Sequence, residues 1–174
     1  MIKLICEKVI RIIKNKKKLE EELNVEITNR GKEIYISGEP EDEYTAEKVI
    51  ESLEFGFPFS TAIHIKKEDL IFEIINIKDY TNQKNLKRVR GRIIGKDGKT
   101  IKTISNLSMC NLEMKDNKIG IIGDPECIEN AEEACKLLLK GSKQANVYAY
   151  LEKHRIEPVI DLGLKEVKKI KGKQ

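Results

Sequence analysis

The residues best suited to chemistry on an anion lie in the stretch V-R-G-R-I-I-G-K-D-G-K-T-I, residues 89–101. Gly95 and Gly98 stand two residues apart, Lys96 and Asp97 lie between them, and Lys99 and Lys102 follow. Three phosphate-binding readings compete for this pattern. A P-loop requires G-x-x-x-x-G-K-[ST]; Gly98-Lys99-Thr100 supplies its end, but its first glycine would fall on Ile93. A dinucleotide fingerprint G-x-G-x-x-G fails on the same isoleucine. The third reading is a glycine loop between two short helices. Without Cβ atoms at Gly95 and Gly98 the backbone can approach a nucleic-acid strand, and the next helix offers its positive N-terminus.

The surroundings favour that third reading over a plain helix–turn–helix corner with a solvated basic face. From Lys84 to Lys102 there are eight basic residues and one acidic residue, Asp97. Arg90, Arg92, Lys96, Lys99 and Lys102 are expected to add charge around a phosphate path along Gly95–Gly98. Ile93, Ile94 and Ile101 are expected to floor a groove for bases. Asn111 and Leu112, with Glu113, would offer polar backbone on an edge strand. Phosphate contacts supply affinity in such an arrangement, and base edges supply selectivity.

The elements that must position this loop follow from periodicity. Leu70–Ile77 is a β-rich apolar run, and a basic helix is expected from about 83 to 94. Helical spacing resumes from Thr100 to Leu107. Residues 111–115 and 118–122 read as a hairpin across Asp116-Asn117. Asp124 is the expected N-cap of a helix with Pro125 at its first position, running to Lys140 before Gly141. The order is β-α-α-β-β-α.

The chain repeats itself. I-S-G-E-P-E at 36–41 echoes I-I-G-D-P-E at 121–126, and Arg11-Ile12-Ile13 echoes Arg92-Ile93-Ile94. A duplicated unit of about 60–80 residues is the expectation. The first copy reads as a strand at 2–6, helices at 8–13 and 18–23, a hairpin of 25–28 with 33–37 across Asn29-Arg30-Gly31, and a helix from about 42 to 54. Aligned on Arg11-Ile12-Ile13, its glycine positions fall at Lys14 and Lys17. The first copy is therefore expected to lack the loop and to serve packing or protein contact. The cluster Phe55, Phe57 and Phe59 is expected to pack between the units, followed by a short helical connector at 60–65.

Charge divides along the same line. Residues 1–82 carry 13 basic and 17 acidic side chains, whereas 83–174 carry 20 and 12. The overall charge of +4 conceals this asymmetry, which makes an anionic partner the expectation for the second half. Hydrophobic content of 40% can supply a core. No apolar run approaches the roughly 18 residues of a membrane span, and residues 1–6 are too short for a signal-peptide core. Cys6, Cys110, Cys127 and Cys135 form no C-x-x-C pair and lie far from His64 and His154. Free buried thiols, no metal site, no cofactor and a cytoplasmic setting are expected. Cys127 and Cys135 share a helical face and read as core.

The string I-I-G-K-D-G-K-T-I, with the hairpin and helix after it, resembles a type I KH domain. Such domains clamp four backbone nucleotides of single-stranded nucleic acid with this loop. The longer string K-R-V-R-G-R-I-I-G-K-D-G-K-T, then I-I-G-D-P-E, then V-Y-A-Y-L-E-K-H-R at 147–155, is similar to archaeal and eukaryotic two-KH factors of small-ribosomal-subunit maturation, the partners of the Nob endonuclease. The resemblance is dense over 70–155 and faint over 1–65. It implies an α+β protein of two tandem type I KH domains, each a three-stranded sheet packed on helices. Residues 1–65 would be a degenerate unit plus connector, 66–157 the unit with the loop and a C-terminal helix, and 158–174 a basic tail. It also implies binding of single-stranded RNA near the 3′ end of small-subunit rRNA, beside a nuclease or methyltransferase.

Catalysis is not expected. Glu20-Glu21-Glu22 and Glu41-Asp42-Glu43 read as solvated helix faces, and His154, between Lys153 and Arg155, suits phosphate contact better than proton transfer. No H-x-E, H-E-x-x-H or G-x-S-x-G occurs. Tyr148 and Tyr150 are expected to pack back on the domain. The rival to an RNA-binding maturation factor is a protein-interaction scaffold whose glycine loop is only structural, with weak electrostatic RNA contact.

Overall fold

A computed structural model of the chain describes residues 1–158 and 169–171. The chain divides into two compact units, Met1–Glu73 and the residues from Ile74 onward. The expected basic tail falls largely outside the described residues.

The first unit opens with β1 (Ile2–Ile5), α1 (Val9–Leu23), β2 (Glu26–Arg30), β3 (Glu33–Ser37) and α2 (Pro40–Phe55). Its antiparallel sheet has the order β1-β3-β2. Ile27, Ile34 and Ile36 are buried on the helical side with Ile12, Leu19, Leu23, Val49 and Ile50. Each such side chain contributes about 1.5–3 kcal/mol through burial. Pro40 stands at the start of α2, and Glu41, Asp42 and Glu43 occupy its first turn, where carboxylates favour the positive end of the helix.

The two-helix expectation for 8–23 is corrected here: α1 is one continuous helix. Lys14-Asn15-Lys16-Lys17 contains no glycine or proline to interrupt the ladder. Asn15 donates its side-chain amide back to the Arg11 carbonyl at 2.9 Å, and Lys16 pairs with Glu20 at 3.8 Å. The first unit thus runs β-α-β-β-α. Its hairpin turn is Gly31-Lys32, with Arg30 facing Glu33.

The acidic face of α2 is not simply solvated. Glu43 is buried and accepts the Gly38 amide at 3.0 Å, and Asp42 pairs with Lys66. The Lys66 ammonium, and secondarily the Asn24 amide, hold the Asp42 carboxyl below its ordinary range. After α2 come α3 (Phe59–Ala62) and α4 (His64–Lys67), as the expected connector. Phe55, Phe57 and Phe72 pack together, with ring centroids 5.8–6.0 Å apart. All three rings are buried, whereas Phe59 is half-exposed and outside this trio.

The second unit follows β4 (Ile71–Asn76), a strand that straddles the division, with α5 (Leu86–Ile94), α6 (Lys99–Ser108), β5 (Asn111–Lys115), β6 (Lys118–Gly123), α7 (Pro125–Leu139) and α8 (Gln144–Lys153). The sheet order is β4-β6-β5, the same pattern as in the first unit. Both repeated phrases sit where the central strand hands over to a helix, β3 to α2 and β6 to α7. Asp124 caps α7 by accepting the Glu126 amide at 3.2 Å. Ile119, Ile121 and Ile122 are buried, as are Ala131, Ala134, Leu138 and both Cys127 and Cys135. Beyond α8, β7 (Ile156–Pro158) pairs antiparallel with β8 (Lys169–Lys171).

Candidate nucleic-acid interface

The loop is built by two helix ends. α5 starts at Asn85, whose side chain accepts the Arg88 amide at 3.2 Å. Val89 and Ile93 fix its inner face, which leaves Lys87 and Arg88 exposed. The helix stops at Gly95, with φ 74° and ψ 177°. An extended ψ at positive φ is open essentially to glycine alone. A Cβ there would lie 2.1 Å from Thr100 Oγ1, so the loop also needs glycine for space.

Asp97 (φ 54°) and Gly98 (φ 72°) then adopt left-handed backbone in succession. Gly98 has room for a Cβ, with only Lys102 Cε at 4.0 Å, so its glycine serves conformation. It stands at the N-cap of α6, and no side chain among the described residues caps that helix. The Lys99 amide bonds the Lys96 carbonyl, and no side chain among the described residues occupies this helix end, the place where helix geometry favours an anion. Lys96, Asp97, Lys99 and Lys102 are exposed around this turn.

The other expected site residues divide. Ile94 and Ile101 are half-buried beside the loop, whereas Ile93 is 1% exposed and belongs to the core. Asn111 is exposed and Leu112 buried on β5, which is an edge strand, as expected. α6 packs against this strand. Arg90 and Arg92 are committed elsewhere. Arg90 reaches the β5–β6 turn, donating to Asn117 Oδ1 at 3.2 Å and to the Asp116 carbonyl at 3.4 Å. Arg92 donates to the carbonyls of Gly141, at 3.0 Å, and Ser142. Their charge stays near the loop while their donors are occupied.

One residue not singled out as a binding residue in the sequence supports this arrangement. Thr100, in the first turn of α6, is 4% exposed, and its hydroxyl oxygen accepts the Gln144 side-chain amide at 3.0 Å. His154, which the sequence suited to phosphate contact, is engaged within the unit: its ring stacks on Tyr150 at 4.2 Å, and its carbonyl accepts from Asn130. Among the described residues, no group of three or more His, Cys, Asp or Glu could hold a metal. No helix among them is long and apolar enough to cross a membrane.

Residues 71–156 match the model for the second KH domain of Pno1, described as a eukaryotic-type, type I KH domain. A chain in the crystal structure of an a/eIF2α–aDim2p–rRNA complex from Pyrococcus horikoshii is 30% identical, with a TM-score of 0.78. The match covers 87% of this chain and 91% of that one. This chain belongs to the Pno1/Dim2 family.

Crystalline Dim2p from Pyrococcus horikoshii is 29% identical with a TM-score of 0.80, over 87% of this chain and 97% of that one. A KH domain-containing protein of Methanocaldococcus jannaschii is 33% identical over 147 residues, 80% of this chain and 65% of that protein. The pre-rRNA-processing protein pno1 of Emericella nidulans is 34% identical over 111 residues, 62% of this chain. The match takes in only 43% of that fungal protein's length. The Pno1 model spans the sheet of the second unit, the glycine loop and α8, so the part of the chain with the built loop is the part matched as a KH domain.

Proposed function

We propose that this protein binds single-stranded RNA in small-subunit ribosome maturation, near the 3′ end of the rRNA. The glycine loop 95–98 clamps the RNA backbone. The observation that carries this reading is the loop itself. Gly95, Asp97 and Gly98 hold positive φ, and no side chain among the described residues caps the α6 N-terminus behind them. Lys96, Lys99 and Lys102 are exposed on its rim. Phosphates lie along this turn, and bases meet Ile94, Ile101 and the edge strand at Asn111 and Leu112. Arg90 and Arg92 contribute field more than direct contact.

In this reading residues 66–157 are the RNA-binding KH domain. Residues 1–65 form a degenerate KH unit with its connector, shaped for packing or protein contact, and 158–174 is a basic tail. The shared sheet order of the two units supports two tandem KH domains. The protein performs no catalysis of its own and brings RNA to a maturation nuclease or methyltransferase in the cytoplasm. Relatives named for pre-rRNA processing, and a similar chain solved in a complex with rRNA, support the RNA class.

The test is fluorescence anisotropy with a short single-stranded RNA, wild type against Lys96→Asp. That change turns the loop into G-D-D-G and alters its charge by about two units at an exposed position. Affinity is expected to fall about tenfold or more, equivalent to about 1.4 kcal/mol, with the circular dichroism spectrum unchanged. Equal affinity would move the RNA site away from the loop. Failure of the wild type to bind any RNA would favour the protein scaffold.

A further inference from the structure

The segment between α7 and α8 reaches both helices that flank the glycine loop. From the last turn of α5, Arg92 donates to the carbonyls of Gly141 and Ser142. From the first turn of α6, Thr100 accepts the amide of Gln144. These contacts span 49, 50 and 44 residues of sequence and converge on four consecutive residues, 141–144. Thr100 is also the residue that Gly95 faces, since a Cβ on Gly95 would strike its hydroxyl oxygen at 2.1 Å. The chain is thus continuous in space from Gln144 through Thr100 to the first glycine of the loop.

We infer that residues 141–144 act as a staple that presets the RNA clamp, with Arg92, Thr100 and Gln144 as positioning residues rather than phosphate contacts. The loop makes two local bonds, from the Gly98 amide to the Gly95 carbonyl at 3.3 Å and from the Lys99 amide to the Lys96 carbonyl, and neither of these ties it to the rest of the unit. Asp97, between the two glycines, is a non-glycine residue at positive φ, a conformation that costs free energy and persists where the surroundings over-determine it. The staple does this by fixing the end of α5 and the start of α6 to one common point. A loop held before binding spares RNA the ordering cost, which is how preorganisation raises affinity. Thr100 is 4% exposed, so it contributes through position and not through contact with the strand.

This inference rests on the loop being the RNA clamp, and the experiment separates the two. Nitrogen-15 order parameters of the Asp97 and Gly98 amides, and affinity for a short single-stranded RNA, are measured for Gln144→Ala, Thr100→Val, Thr100→Ser and Arg92→Lys. Lys96→Asp serves as the clamp control. Gln144→Ala and Thr100→Val are expected to lower the order parameters from about 0.85 to below about 0.6. Affinity falls about fivefold to tenfold, with the salt dependence unchanged because the phosphate contacts remain. Thr100→Ser keeps the acceptor and restores both readouts. Arg92→Lys keeps the charge but its shorter side chain withdraws the single nitrogen that serves both carbonyls, and so behaves like Gln144→Ala.

Order parameters at the wild-type level in both Gln144→Ala and Thr100→Val, with helix content intact, would overturn the staple whatever the affinity did. A loosened loop with unchanged affinity, while Lys96→Asp still loses binding, would overturn its role in presetting the clamp. A loosened loop with binding indifferent to Lys96→Asp as well would leave the staple standing and defeat the clamp.

Discussion

Gly95 and Gly98 are both glycines at positive φ, yet they answer to different constraints. Gly98 is required by backbone conformation alone, and Gly95 by conformation and by the Thr100 hydroxyl 2.1 Å from where its Cβ would be. Gly95→Ala therefore has two penalties and Gly98→Ala one. Gly95→Ala is expected to destabilise the protein by about 2–4 kcal/mol, combining strain and overpacking, and Gly98→Ala by about 1 kcal/mol. Urea midpoints at constant m-value measure the difference. Equal losses would show that the contact with Thr100 does not matter.

The thiols carry a second prediction at this scale. Burial, reinforced by Glu132, pushes the Cys135 thiol up to about 12 from its ordinary 9.0. The unfolded chain releases that proton first. Cys135 thus contributes stability that is fully present below about pH 9 and is lost as pH rises towards about 12. At pH 9, iodoacetamide followed by peptide mass spectrometry should find Cys135 unmodified in the native protein and alkylated in denaturant. Native-state labelling within minutes would contradict the buried site.

At the scale of elements, the two units diverge between their first strand and their hairpin. The second breaks its helix at Gly95–Gly98, whereas the first runs through Lys14–Lys17 without interruption. Alignment with the second unit places a break there, but the local sequence contains no glycine or proline to make one. Lys14 and Lys17 are exposed on α1, so glycine at both positions makes a matching sequence pattern without making a loop. The double variant Lys14→Gly, Lys17→Gly is expected to lose about 2 kcal/mol, at about 1 kcal/mol per exposed helical glycine. It should gain no RNA affinity. Thermal unfolding and anisotropy test the two halves of that statement, and a gain in binding would mean that a GxxG pattern suffices without its surroundings.

Across the whole molecule, the charge difference between the two halves gives the expected binding its salt signature. If four phosphates are held along the loop, log affinity should fall with log salt concentration at a slope of about −3, the single-strand value of about −0.7 per phosphate taken four times. A slope near −1 would assign the contact to scattered lysines, and a slope steeper than about −5 would call for further cationic surface. The measurement needs the full chain, because the lysines at 165–173 belong to the same positive half.

Local chemistry was legible in the sequence because its causes lie within a few residues. Asp124 and Pro125 start α7, Asp116-Asn117 turns the β5–β6 hairpin, and the pair Gly95 and Gly98 ends one helix and opens the next. Each of these depends on neighbours up to about four positions away, where type and spacing alone set the outcome. The burial of Cys127 and Cys135 followed from helical period in the same way. What the side chains reach across the fold was decided by tertiary structure. Arg90 and Arg92 read as phosphate ligands until the hairpin turn and residues 141–142, 26 to 50 positions away, supplied carbonyl and amide oxygens as acceptors. Glu43 read as solvated until the backbone amide of Gly38 and the packing of α2 enclosed it. Thr100 drew no notice as a binding residue, because its importance lies in Gln144, 44 positions further along. A charged or polar side chain goes to whatever partner the folded chain brings within about 3 Å. That choice is made by packing rather than by sequence spacing.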